Sequence, residues 1–281
     1  MAFDGKLTLN NRNCNIKTFS YPSEIELVLS RSCNKKCVFC PHINTEYIKY
    51  NNTKLQFMEI DLVKKMSGEL IEMGYRGKIY LSGLGEPTMN PNYEEIIGIL
   101  LEVGCDIKMI TNGYSIIKDN YLLSDELLHK VEVVISVYNS SDIDIFEKFE
   151  CDNVKLKKLF LENDDPLSVY EKFDFNNRCG FVFGDDKYDK CYYPFFMLFV
   201  DTNGDVQYCP HDWEIINVIG NVYDDTIIDI WNKDTFVRKM MLNENRQNLS
   251  PCNECSAKGI IIGEDAYNDA LKKYEKNIND T

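Results

Sequence analysis

The chain has 281 residues, enough to bury a sizeable core as one large domain or as one domain with a small appendage. Hydrophobic residues make up 44% and charged residues 27%, a balance that excludes a disordered chain. The net charge of -14 disfavours broad contact with nucleic acid, whose phosphates need Lys and Arg to neutralise them.

The first residues carry an acid, Asp4, and lack the apolar stretch of a signal peptide. No later run approaches the roughly 18 apolar residues that span a bilayer. A cytoplasmic location is therefore expected. There, eleven cysteines point to metal ligation or redox chemistry rather than disulfides.

Residues 1–21 read as an N-terminal arm. Ile25–Leu29 then reads as a buried strand, followed by a polar, Asn-rich loop. A helix carries Leu62, Val63, Met66, Leu70 and Met73 on one face. Ile79–Leu81 is a second strand leading into the turn Gly83-Leu84-Gly85-Glu86-Pro87, and the next helix places Ile96, Ile97, Leu100 and Leu101 together. Ile107–Ile110 is a third strand, stopped by Asn112-Gly113, and Val131–Val137 a fourth. A helix with Ile143, Phe146 and Phe149 follows, then Val154–Leu161 as a fifth strand. This alternation predicts an α/β fold with a parallel sheet, open or curled into a partial (β/α)6 barrel over residues 22–165. Ligands of such folds sit at the carboxyl ends of the strands.

From about residue 166 to 281 the rhythm changes. Phe195–Asp201 and Val206–Cys209 flank Thr202-Asn203-Gly204-Asp205, a strong hairpin signal. A helix around Ile227–Trp231, the pair Cys252 and Cys255, and a final helix with Tyr267, Leu271, Tyr274 and Ile278 complete a smaller, cysteine-pinned unit.

Cys33, Cys37 and Cys40 form C-x3-C-x2-C directly after the first strand. Three thiolates in one loop hold three irons of a [4Fe–4S] cubane and leave the fourth open to a small chelating ligand. Structural zinc prefers paired C-x2-C knuckles and a closed set of four ligands, which fits this loop badly. The run Arg31-Ser32-Cys33-Asn34-Lys35-Lys36-Cys37-Val38-Phe39-Cys40 resembles the signature of the radical S-adenosylmethionine (SAM) superfamily. The resemblance implies that the open iron chelates SAM and that Phe39 lies by its adenine. It implies further that Gly85, Glu86 and Pro87 receive the SAM amino group, and that Asn112 and Ser136, at later strand ends, help to bind the cofactor.

Cys191, Cys209, Cys252 and Cys255 could by spacing alone close a zinc site or a fully ligated [4Fe–4S] cluster. Their setting includes a hairpin ending in Cys209, Gly220-Asn221-Val222, Ile230-Trp231-Asn232 and then C-x2-C. It resembles the twitch domain, the short relative of the SPASM domain. That implies one auxiliary [4Fe–4S] cluster, closed by four cysteines and suited to electron transfer. From about Glu24 to Cys255 the chain resembles the twitch-domain dehydrogenases that oxidise 2-deoxy-scyllo-inosamine. Asn177-Arg178 stands where that family has a substrate-contacting arginine, although the following Cys179 departs from its pattern.

The resemblance implies hydrogen abstraction from a small substrate by a 5'-deoxyadenosyl radical. The expected reaction is oxidation of a sugar or cyclitol hydroxyl, with the auxiliary cluster as acceptor and a flavodoxin or ferredoxin as electron donor. Arg178 is the candidate catalytic residue, acting by charge stabilisation because guanidinium stays protonated. The alternatives are a sugar epimerase using a thiol such as Cys179, a maturase or epimerase of ribosomal peptides, and a non-catalytic metal protein. Cys14, Cys105, Cys151 and Cys179 read as plain thiols, Cys179 being the one that could lie near the active site, and Tyr138 reads as a pocket residue. His42 and His211, each after a Cys-Pro pair, read as loop packing, with tuning of a cluster as the functional alternative.

Overall fold

The computed structural model describes residues 20–159, 176–181, 191–233, 235–257 and 264–272. Five parallel strands alternate with helices: β1 (Glu24–Leu27), α1 (Thr45–Asn51), α2 (Ile60–Glu72), β2 (Lys78–Leu81), α3 (Tyr93–Leu101), β3 (Asp106–Thr111), α4 (Tyr114–Asp119), α5 (Asp125–Leu128), β4 (Glu132–Val137), α6 (Ile143–Phe146) and β5 (Val154–Lys158). The later part adds β6 (Met197–Val200), β7 (Asp205–Gln207), β8 (Gly220–Asn221), α7 (Ile227–Asn232) and α8 (Phe236–Leu242). Residues 264–272 are helical, and Tyr267 packs edge-on against Phe195. Cys14, Leu161, Tyr274 and Ile278 lie outside the described residues.

All eight strands form one sheet in the order β5-β4-β3-β2-β1-β6-β7-β8. Six are parallel. The sixth comes from the later unit: β6 pairs with the free side of β1, with Glu24 opposite Met197 and Leu27 opposite Val200. The hairpin expected at Thr202–Asp205 is present, with β6 and β7 antiparallel across it. Because β5 and β8 end the sheet without meeting, the barrel is partial.

The two faces of the sheet differ. Ile25, Leu27, Ile79, Leu81, Ile107, Met109, Val133, Ile135 and Val137 join the core under α2 and α3. Alternate residues of the same strands form a buried polar face. Glu24, Glu26, Lys78, Tyr80, Lys108 and Ser136 are all at most 8% exposed. That face is tolerated because its charges pair. Lys108 reaches Glu132 at 2.6 Å, Tyr80 donates to Glu24 at 3.2 Å and Ser82 to Glu26 at 2.7 Å.

Candidate active site

The chain leaves β1 through a fully buried Arg31 that fixes where the cysteine loop begins. Its guanidinium grips Asp201, just past β6, through Nε to Oδ1 at 2.8 Å and Nη2 to Oδ2 at 2.6 Å, while Nη1 donates to Asn51 Oδ1 at 3.0 Å. Beyond it, Cys33, Cys37 and Cys40 line one cavity. Asn112 Nδ2 lies 3.6 Å from Cys33 Sγ, and Tyr138 lines the same cavity as Cys37. Burial pushes Cys33 up to about 12, and Cys37 upward as well, so these thiolates need a cation to be held ionised.

Glu86 lies at the floor of the cavity, 2% exposed. Oε1 accepts from Thr88 N at 3.1 Å, Thr88 Oγ1 at 2.7 Å and Thr111 Oγ1 at 2.5 Å, and Oε2 accepts from Asn112 N at 2.7 Å. Burial still raises the carboxyl above its ordinary range, so a bound ammonium would be a favourable partner. Gly85 is obligatory here: a Cβ would lie 2.3 Å from Ser30 O and 2.6 Å from Ser32 O, inside the backbone of the cysteine loop. Pro87 opens a short 3-10 turn and puts Glu86 at its N-cap.

Ser136 and Lys157 face each other across β4 and β5 and line the same cavity, a hydroxyl beside a cation. Burial first, then the charge of Arg178, lowers Lys157 to about 8. Phe39 packs against Tyr138 at 5.7 Å between centroids, on the wall of the cavity. Asn112 Oδ1 is buried with no partner among the described residues, an acceptor available to a ligand. His42 is held neutral by burial and donates Nε2–H to Leu84 O at 2.6 Å.

A second cavity is lined by Cys179, Cys191, Cys209, Cys252 and Cys255. Among the described residues no three His, Cys, Asp or Glu side chains converge on a single-ion point. Each set of cysteines lines a cavity rather than lying scattered over the surface. Arg246, 1% exposed, shapes the C-x2-C turn by donating to Cys252 O at 3.0 Å, Cys255 O at 2.5 Å and Ala257 O at 2.8 Å.

Family models agree with these two cavities. The model described as "Radical SAM superfamily" matches residues 27–135, and that described as "SPASM: Iron-sulfur cluster-binding domain" matches residues 191–256. Residues 27–135 carry a radical SAM domain. The chain's cofactors are SAM and two iron–sulfur clusters. The S-adenosyl-L-methionine-dependent 2-deoxy-scyllo-inosamine dehydrogenase of Niallia circulans is 24% identical over 255 residues, covering 83% of this chain and 92% of that protein. The crystal structure of BtrN in complex with AdoMet and 2-DOIA superposes with a TM-score of 0.69 at 20% identity, covering 87% of this chain and 97% of that one. Streptococcus suis SuiB bound to precursor peptide SuiA matches with a TM-score of 0.53 at 15% identity, covering 84% and 70%. No helix among the described residues is long and apolar enough to cross a membrane.

In this chain the two cavities meet at one short segment. Arg178 lines the first and Cys179 the second. Both residues are left-handed, with φ of 49° and 54°, each costing about 1–2 kcal/mol. Arg178 Nη1 donates to His211 Nδ1 at 3.2 Å, which leaves the ring proton on Nε2, 3.1 Å from the Tyr193 hydroxyl. The backbone N–H of His211 in turn donates to Cys209 Sγ at 3.3 Å. His211 is therefore more than loop packing: it links the candidate substrate arginine to the second cysteine set.

The first cavity gathers Cys33, Cys37, Cys40, Phe39, Gly85, Glu86, Asn112, Ser136 and Arg178. Cys191, Cys209, Cys252 and Cys255 share the second. Lys157 went unread in the sequence because β5, with lysines at 155, 157 and 158, looks like a solvated strand. Its one available signal was its place, next to the last residue of the strand.

Proposed function

We propose that this chain oxidises a secondary hydroxyl of a small sugar or cyclitol to a ketone, with the auxiliary cluster as electron acceptor. The unit of residues 22–165, preceded by the arm 1–21, carries SAM, and residues 166–281 carry the acceptor. Cys33, Cys37 and Cys40 hold the SAM-binding cluster, and Cys191, Cys209, Cys252 and Cys255 close the auxiliary one. When bound, SAM and its cluster supply a 5'-deoxyadenosyl radical able to take a hydrogen atom from carbon. Glu86, with Gly85 and Pro87 setting its turn, takes the SAM ammonium. Ser136 and Lys157 take the carboxylate, Asn112 offers its free acceptor, and Phe39 walls the adenine side.

The observation that carries the reading is the adjacency of Arg178 and Cys179, one in each cavity. Arg178 Nε is buried without a partner among the described residues, a donor kept for a substrate oxygen. A ketone would then require the hydroxyl proton to leave to solvent and one electron to pass to an oxidised cluster, which Cys191, Cys209, Cys252 and Cys255 would hold. Arg178 stays cationic throughout and stabilises the developing alkoxide. The names of the relatives support the reaction class, since one is a dehydrogenase of an aminocyclitol. A small flavodoxin or ferredoxin is the proposed donor to the first cluster. Cys179 lies outside the lining of the first cavity, which weighs against a thiol returning hydrogen to substrate as in an epimerase.

The test is an anaerobic assay of the reconstituted chain against a panel of sugars and aminocyclitols. Ketone and 5'-deoxyadenosine are expected in equal amounts; a product of unchanged oxidation state with an inverted centre would show an epimerase instead. Lys157 gives a second expected result. Its ammonium is charged below about pH 8 and neutral above. SAM affinity, measured by equilibrium dialysis, should therefore weaken from pH 7 to pH 9, and Lys157→Arg should flatten that dependence. A flat wild-type profile would remove Lys157 from the carboxylate site.

A further inference from the structure

Arg178 is buried, lines the first cavity and is held at both its backbone and its side chain. A clamp between two turns fixes the backbone. Asn177 N donates to Ser256 Oγ at 2.8 Å, Asn177 Nδ2 to Glu254 O at 2.6 Å, and Ser256 N to Asn177 Oδ1 at 2.8 Å. The N–H of Arg178 donates to Asn176 Oδ1 at 3.1 Å. The side chain is held by a ring. Nδ1 of the fully buried His211 accepts from Arg178 Nη1 at 3.2 Å, with Asn176 Oδ1 a longer second acceptor at 3.4 Å. A guanidinium offers no lone pair in return, so the imidazole is neutral in this pairing, with its proton on Nε2. That proton faces the Tyr193 hydroxyl at 3.1 Å, and the Tyr193 ring packs edge-on against the imidazole at 5.2 Å between centroids. Asn176 and His211 are both uncharged. They orient the guanidinium without cancelling its charge, whereas a carboxylate in their place would compete with a substrate oxygen.

We propose that His211 is a positioning residue whose neutral Nδ1 holds the Arg178 guanidinium in the first cavity, oriented and fully charged, for the oxygen of the hydroxyl being oxidised. His211 does not itself line that cavity, so it acts through Arg178 alone. Tyr193 completes the device by accepting the Nε2 proton, which keeps Nδ1 bare toward the arginine. The inference rests on the role given to Arg178 in the proposed function, but the bracing of Arg178 is measurable without any substrate.

The test is anaerobic modification of the full, reconstituted chain by phenylglyoxal, an arginine reagent, with the rate at Arg178 read by peptide mass mapping. Wild type, His211→Phe and His211→Asn are compared, each checked for about eight irons, four per cubane. His211→Phe keeps a ring against Tyr193 but removes the acceptor. Arg178 should then react about tenfold faster, the lower end for losing a hydrogen bond to a charged group. His211→Asn, whose side-chain oxygen stands near the place of Nδ1, should return most of the protection. Equal rates in all three proteins would overturn the proposal, and so would a fast His211→Asn. If His211→Phe loses iron, Tyr193→Phe replaces it: the freed ring proton should raise the rate about threefold, and an unchanged rate there overturns the proposal too. In the ketone assay His211→Phe should lower kcat about tenfold with KM within about twofold, as when an interaction made in the transition state is lost. A wild type that makes no ketone bears on the dehydrogenase reading alone, because the modification rates need no substrate.

Discussion

Cys37→Ala is expected to strip the chain of about four of its eight irons and to abolish 5'-deoxyadenosine formation, whereas Cys252→Ala loses a similar amount of iron and still cleaves SAM. The asymmetry follows from the two cavities. Cys37 shares its cavity with Glu86, Ser136 and Lys157, where a chelated SAM would lie. Cys252 stands in a cavity that those residues do not line, its carbonyl held by Arg246. Iron analysis and a dithionite-driven assay on both variants decide the matter. If Cys252→Ala also ceased to cleave SAM, the two clusters would not have the separate tasks proposed here.

Asp201→Ala is expected to lower stability by about 3–5 kcal/mol, the range for leaving a buried charge without its partner. The Arg31 guanidinium is wholly buried and spends two donors on Asp201, so the alanine variant strands a charge beneath the cysteine loop. For a chain of this size that is about 10 °C in Tm. Thermal unfolding of the cluster-free protein measures it without interference from iron loss. A fall of only a degree or two would mean that water enters and replaces the carboxylate. Arg31→Met, which removes the charge as well, should cost less than Asp201→Ala, because no unpaired ion remains.

The two cysteine sets were legible because cluster ligation is a local demand. Three thiols must sit within one loop, and a C-x2-C turn must bring two sulfurs to one void. Gly85-Glu86-Pro87 was legible for a related reason, since it ends a recognisable strand. Arg31 with Asp201 could not be read, as 170 positions separate them and nothing local announces the pairing. The choice of β6 as neighbour to β1 was hidden likewise, because strand pairing at long range depends on which edge the finished sheet leaves open. The strands read as simply apolar proved two-faced. Glu24 and Glu26 of β1 lie on the polar face, where the cross-strand Tyr80 and Ser82 donate to them. Cys179 was noticed as a departure, and its place in the lining of the second cavity emerges only from the folded chain.

The position of β1 bears on how this protein could be divided. With β2 on one side and β6 on the other, the strand that feeds the SAM-binding loop has no free flank. A core cut off at residue 165 would bare a row of backbone N–H and C=O groups along β1, an invitation to pair with another copy. Such a fragment is expected to aggregate rather than to stay monomeric, and the later unit doubles as the shield of the strand that leads into Cys33, Cys37 and Cys40.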